Sequence, residues 1–328
     1  MATAETRRES RSLFRIYLLL LLATVLWGGS QVAGKLAIRE IPPMTAGVLR
    51  YGTSCIVFLA LFGRHLPSWW SLSRQDRWNL LGLGVLGTFL NHICSYLGLY
   101  LAPASHAAIL GPTTSPICTL ALVAGFAGER LTRGQITGMV LCVLGVILVA
   151  RPGGPSTAMT RAVLLGDLLL VLSGLAWGAY SYLSKIAMRR LSAMAALAYG
   201  MTIGSVLLVP VGLMEWPWRA LAGASASSWA SLLYVMLACT VLASFWWNLA
   251  IQRVGAGRTA VFGNLPPVVG VLLSWWVLGD RLTAIQLFGG GLTLAGVWVC
   301  QGPGVLQAAW RETRLRFGGV AVVKPKQR

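Results

Sequence analysis

The sequence predicts an all-α integral membrane protein: ten transmembrane helices arranged as two five-helix inverted repeats. Three observations carry this expectation. Of 328 residues, 56% are hydrophobic and 11% charged, where a soluble domain carries roughly 25% charged residues. The apolar residues are gathered into long runs separated by short loops. The second half of the chain also rewrites patterns of the first at a nearly constant offset.

A bilayer-spanning helix needs roughly 20 mostly apolar residues. Runs of that kind place spans at 15–36, 44–63, 79–101, 105–126, 134–151, 163–185, 194–214, 229–251, 258–278 and 284–302. A basic segment, 1–14, precedes them and a basic tail, 303–328, follows. Spans 1 to 5 make a first unit, 15–151, and spans 6 to 10 a second, 163–302. The Arg7-Arg8 pair resembles an export signal, but no small-residue cleavage site closes the apolar run after it, so the run reads as a retained first span. The loops leave no room for a soluble catalytic domain.

The net charge of +18 does not point to nucleic acid, because the basic residues sit in clusters between apolar runs rather than on one polar surface. If the N-terminus is cytoplasmic and the spans alternate, 20 of the 27 lysines and arginines fall on the inner side. They include Arg7 to Arg15, Arg64 to Arg77, Arg130 and Arg133, Lys185 to Arg190, Arg253 and Arg258, and the tail. Lysine and arginine favour cytoplasmic loops, where the anionic inner leaflet holds them. The expectation is a multi-pass protein of the cell membrane with both termini cytoplasmic and the bilayer as its partner. The six cysteines all lie within apolar stretches without a C-x-x-C pair and read as small buried hydrophobes. The three histidines are scattered, so neither a metal nor a cofactor is expected.

The repeat is explicit. "LWGGSQVAGKLAIREI" (26–41) aligns with "AWGAYSYLSKIAMRRL" (176–191), and "GERLTRGQITGMVLCVLGV" (128–146) with "GDRLTAIQLFGGGLTLAGV" (279–297). Pro116 matches Pro267, and Trp78 matches Trp229. Five spans per half is an odd number, so the second half enters the membrane from the opposite face, related to the first by an in-plane pseudo-twofold axis. The same alignment disposes of a near-match to a phosphate-binding loop at Gly29, Gly34 and Lys35. That loop needs a hydroxyl residue after the lysine and a strand before the first glycine. Here Leu36 follows, an apolar run precedes, and Gly34 becomes Ser184 in the duplicate.

On these residues the chain resembles the drug/metabolite transporter superfamily, in its ten-span form built from two EamA domains. The W-G…K opening of each half and the P-x11-G-[ED]-R-L-T…G…G ending carry the resemblance, which covers about residues 15–302. It implies transport, not catalysis, of a small solute: similar proteins export amino acids, nucleosides, other metabolites or toxic compounds, and relatives handle nucleotide sugars and lipid-linked sugars. It leaves a homodimer open.

Polar and aromatic side chains deep in the spans are the candidates for a central cavity: Trp27 and Gln31, Asn91, His92 and Tyr96, Trp177 and Tyr180, Trp247, and Asn264. An uncovered amide in hydrocarbon is costly, so the asparagines should face protein or a cavity. Each of these residues has helix packing as its competing role. Pro116 and the Pro266-Pro267 pair free backbone carbonyls and are candidate bends. Lys35 and Lys185 end their spans as candidate gates, against plain snorkelling to the interface. Glu129-Arg130 and Asp280-Arg281 read as helix-end pairs, and Asp167 and Glu215 as interfacial acids. So few buried acids argue against an acid-based proton relay and leave His92 as the mid-span titratable group. "GLAWG" and "GMTIG" (174–178 and 200–204) allow close helix approach. The leading expectation is a secondary transporter, acting as an exporter, of an amino acid or other amphipathic solute by alternating access between the repeats. A flippase for a lipid or lipid-linked sugar is the alternative. A membrane enzyme is disfavoured, since no acid/base pair or nucleophile is placed for a headgroup.

Overall fold

The computed structural model describes residues 2–127, 131–149, 160–254, 262–263 and 265–299, and among them every regular element is helical. In chain order, α1 is Ala2–Ala37, α2 Pro43–Phe62, α3 Arg74–Leu101, α4 Ala104–Ala127, α5 Arg133–Val149, α6 Arg161–Ala187 and α7 Ala193–Met214. Helix α8 starts at Ala226 and continues to Val254, α9 is Leu265–Leu278 and α10 is Ala284–Val299. Seven of these, α1 to α4 and α6 to α8, are long and apolar enough to cross a membrane. The expectation of ten full-length spans is therefore met only in part, because α5, α9 and α10 are shorter apolar helices. The expected start of the ninth span at 258 lies outside the described residues. At the N-terminus, Ala2 to Phe14 contains neither glycine nor proline, and this basic segment is the first part of α1 rather than a separate tail.

Helix starts follow from local sequence. The side chains of Ser73, Thr160, Ser192 and Ser225 each accept a backbone N–H from the third residue on, the N-cap arrangement. The repeated L-T-x-x-Q has the same basis in both halves. Thr132 N–H donates to Gln135 Oε1 (2.8 Å) and Gln135 N–H returns to Thr132 Oγ1 (3.2 Å), opening α5. Thr283 and Gln286 do the same for α10, at 3.0 and 3.3 Å. These are capping boxes.

Three of the described helices share a feature invisible in the sequence. Residues Gly84–Leu90 of α3, Tyr234–Ala243 of α8 and Ser274–Leu278 of α9 are π-helical, the first two starting 150 residues apart. The wider turn leaves carbonyls for other partners.

Packing partners come in pairs that exchange when the halves are swapped. Helix α1 packs on α8 and α9, and α6 on α3 and α4; α2 meets α8 as α7 meets α3; α2 packs on α7 and α4 on α9. Small residues set the approach. A Cβ on Gly174 of α6 would lie 1.7 Å from Thr114 Oγ1 of α4, and one on Gly204 of α7 2.3 Å from Thr88 Cβ of α3. Helices α5 and α10 touch through Gly145 and Gly289, away from the centre.

The chain connections gather at two ends. At one, Glu215 accepts N–H bonds from Met44 (3.0 Å) and Thr45 (2.7 Å), Glu40 accepts one from Ser225 (2.6 Å), and Asp280 accepts one from Ser105 (3.2 Å). Each acid sits at a helix N-terminus, where unpaired N–H groups and the helix dipole favour negative charge. At the other end, Tyr199 donates its hydroxyl to Pro67 O (2.5 Å) and packs on Trp69. Between the ends the exterior is apolar: Val206, Leu272, Trp275 and Phe288, among others, are exposed.

Candidate functional site

A cavity of about 470 Å³ lies between the halves, walled by α1 to α4 and α6 to α9. That volume is in the range of small-ligand pockets, about 300–1,000 Å³. Trp27, Gln31, Asn91, Tyr96, Trp177 and Tyr180 all line it, as do Pro116, Pro266 and Pro267. Asn264 lies outside the described residues.

The wall is built by specific bonds. Trp27 Nε1–H donates to Cys239 O (2.8 Å), a carbonyl of the π-helical stretch of α8, and the ring packs on Trp247 at 5.0 Å between centroids. The ring of Trp27 lines the cavity, whereas Trp247 stands behind it and is not part of the wall. Asn91 donates its amide to Ser173 O (2.9 Å), tying α3 to α6. Tyr180 packs on Trp177 (4.8 Å) and over Gly87, where a Cβ would fall 2.3 Å from its ring. Trp177 keeps 43% of its surface exposed and is less covered by protein than its counterpart Trp27, which is half-buried.

Besides Trp247, three expected residues stand elsewhere. His92 is fully buried behind the wall, between the rings of Tyr96 (4.0 Å) and Tyr51 (5.4 Å). Its Nε2 lies 3.2 Å from Pro43 O, and since a carbonyl only accepts, Nε2 carries the proton. Lys35 lies off the cavity: its ammonium donates to the carbonyls of Leu99, Tyr100 (3.2 Å) and Ala102 (2.7 Å), closing the C-terminal end of α3. Lys185, its counterpart in α6, is exposed and also off the cavity wall.

Asp167, expected as an interfacial acid near the start of the sixth span, is enclosed by protein. It is 4% exposed and accepts from His106 Nδ1 at 2.9 Å. Gln286 fixes the geometry. Its Oε1 accepts from Thr283 N–H, so its amide nitrogen faces Val149 O and His106 Nε2, both at 3.2 Å. Nε2 is then an acceptor and the histidine proton is on Nδ1. A buried acid–histidine pair thus exists where the sequence argued for none. Its signal was present only as Gln286, the capping-box glutamine of α10.

The cavity also holds a residue the sequence reading passed over, Arg50 of α2. Its Nε donates to Thr240 Oγ1 (2.9 Å), and its guanidinium carbon is 4.9 Å from the Tyr51 ring centroid. An arginine in mid-run was the available signal, since a charge within a span marks a functional position by default. Among the described lining residues none is acidic. The wall therefore offers aromatic faces, amides and hydroxyls with one fixed positive charge, which suits binding and carries no nucleophile–base pair.

Comparison with known proteins agrees with this architecture. The model of the EamA-like transporter family matches residues 14–151 and again 164–300. The chain is 27% identical to the uncharacterized transporter YyaM of Bacillus subtilis (strain 168), over 88% of this chain and 93% of that protein. It is 26% identical to a probable amino-acid metabolite efflux pump of Salmonella typhimurium, over 86% and 93%. A probable terminal-alkyne amino-acid exporter of Streptantibioticus cattleyicolor is 30% identical over 60% of this chain and 63% of that protein. One solved crystal structure shares the fold at a TM-score of 0.57 and 20% identity, covering 87% of this chain and 95% of that one. With its family pattern present in both halves and a ligand-sized cavity between them, this chain belongs to the EamA-like transporter family.

Proposed function

We propose that the protein is a secondary transporter that exports a small organic solute, an amino acid or similar amphipathic metabolite, across the cell membrane. Ten helices cross the bilayer as two inverted five-helix repeats, both termini are cytoplasmic, and the repeats exchange conformations to open the cavity to either side. The cavity carries this reading: corresponding helices of the two halves, α1 to α4 and α6 to α9, wall it together, with Trp27 and Trp177 at equivalent positions. A site shared between repeats is where rocking of one half against the other changes access. The export direction is supported by the efflux pump and exporter among its relatives. Uptake into proteoliposomes containing the purified protein tests it against a panel of amino acids and derivatives. Saturable, ATP-independent solute flux is the expected result. Headgroup translocation of a fluorescent lipid without solute flux would replace this reading with a lipid flippase.

A further inference from the structure

Arg50 is the charged member of the cavity wall among the described residues, and its recorded partners are all uncharged. Its Nε donates to Thr240 Oγ1 (2.9 Å), and Nη1 reaches the hydroxyl of Tyr96 (3.4 Å). A guanidinium has five N–H donors and keeps its charge. Two are engaged, so both hydrogens of Nη2 and one of Nη1 remain for the cavity. A fixed charge in a weakly polar site is costly without a counter-charge and further hydrogen bonds. Nothing on the described wall supplies that counter-charge. A carboxylate does, because its two oxygens match two parallel N–H bonds from one guanidinium. The rest of the wall says what else the ligand carries. Trp27, Trp177 and Tyr180 supply aromatic rings to the wall, and the side-chain amide of Gln31 has no hydrogen-bond partner among the described residues.

We infer that Arg50 is the docking point for the carboxylate of the transported solute, which is a net-negative organic acid with an apolar or aromatic body. With one cation and no described acid on the wall, an amino acid whose amine is masked fits better than a free zwitterion, and an organic cation fits worst. Arg50 stands on α2 of the first half and is held by Thr240 in the π-helical stretch of α8. A bound carboxylate therefore touches a bridge between the halves, which is where occupancy has to be sensed for access to switch.

This inference rests on the solute-transporter reading and names its substrate class. The test uses four probes with one body: N-acetyl-phenylalanine, phenylalanine, N-acetyl-phenylalaninamide and phenylalaninamide. Binding to the purified full-length protein is followed by calorimetry. N-acetyl-phenylalanine is expected to bind about tenfold or more tighter than its neutral amide, with phenylalaninamide weakest. Arg50→Gln should erase the difference between acid and amide, and Arg50→Lys should keep its sign. If Arg50→Gln does not fold, the wild-type series and Arg50→Lys decide. Equal binding of acid and amide by the wild type, preference surviving Arg50→Gln, or binding of none of the four overturns the inference. In those cases saturable flux of any other solute in proteoliposomes still upholds the transporter reading, and the absence of flux across the whole panel rejects that reading separately.

Discussion

Trp27 shows how one side chain serves structure and cavity together. Its indole N–H is satisfied by Cys239 O, its back rests on Trp247, and its ring lines the cavity. Trp27→Ala removes all three and is expected to abolish most solute flux. Trp27→Phe keeps a ring face and should retain part of it, at normal expression. Trp70→Ala is the matched control, since Trp70 is 81% exposed at the surface. Trp69 is unsuitable because it packs on Tyr199. Parental flux in well-folded Trp27→Ala protein would remove Trp27 from the site. A second residue gives a pH signature. The backbone N–H of Ser225, helped by the hydroxyls of Ser225 and Ser228, holds the Glu40 carboxyl below its ordinary range. A lowered folded pKa means that its contribution is complete above the unfolded value, about 4.3, and fades as pH falls through the folded one. The melting temperature of the wild type should exceed that of Glu40→Gln slightly at neutral pH, and the gap should close on acidification below about pH 4. The effect is small because Glu40 is exposed.

At the scale of elements, close packing of α6 on α4 is set by glycine. A Cβ at Gly174 meets Thr114 Oγ1 at 1.7 Å and the carbonyl of Gly111 at 2.4 Å; the backbone atom cannot swing aside. Gly174→Ala should destabilise the protein by about 1–3 kcal/mol through overpacking. Gly52→Ala meets nothing within 4 Å and should be nearly neutral. Thermal unfolding in detergent compares them, and equal melting temperatures would contradict the packing. The span starts were legible in the sequence because hydropathy and caps are local. The π-helical stretches in α3 and α8 were not. "GVLGTFL" and "YVMLACTVLA" have no residue that demands the wider turn. It is stabilised by distant partners, such as Trp27 and Ser54 on the freed carbonyls of Cys239 and Met236.

For the whole molecule, the contacts at the two ends are those that alternating spans require. Loops following α1, α3, α7 and α9 meet at the end bearing Glu215 and Asp280, and the loop following α2 meets the first turns of α7 at the other. Together with the clustered basic residues, this gives a direct test of orientation. On a cysteine-free background, a cysteine at Gln75 should be labelled only by reagents that reach the cytoplasm. One at Arg219 should be labelled from outside intact cells. Both positions are exposed. Reversed labelling would invert the molecule without altering its fold.

The sequence by itself determined that the chain is helical and membrane-bound, that it is duplicated, and to which family it belongs. Those properties depend on apolar run length, charge placement and repeated short motifs, all of which are local along the chain. It also singled out Trp27, Asn91, Tyr96, Trp177 and Tyr180 as deep polar or aromatic positions, which the structure brings to one cavity. Only the tertiary structure decided which deep residues face that cavity and which lie behind it, as His92 and Trp247 do. Only it sent Lys35 to the end of α3, joined Asp167 to His106, and set Arg50 on the wall beside Thr240. The physical reason is common to all of these. A helical sequence specifies depth and face, but whether a polar group meets a partner or a void depends on a neighbouring helix that can lie more than a hundred residues away.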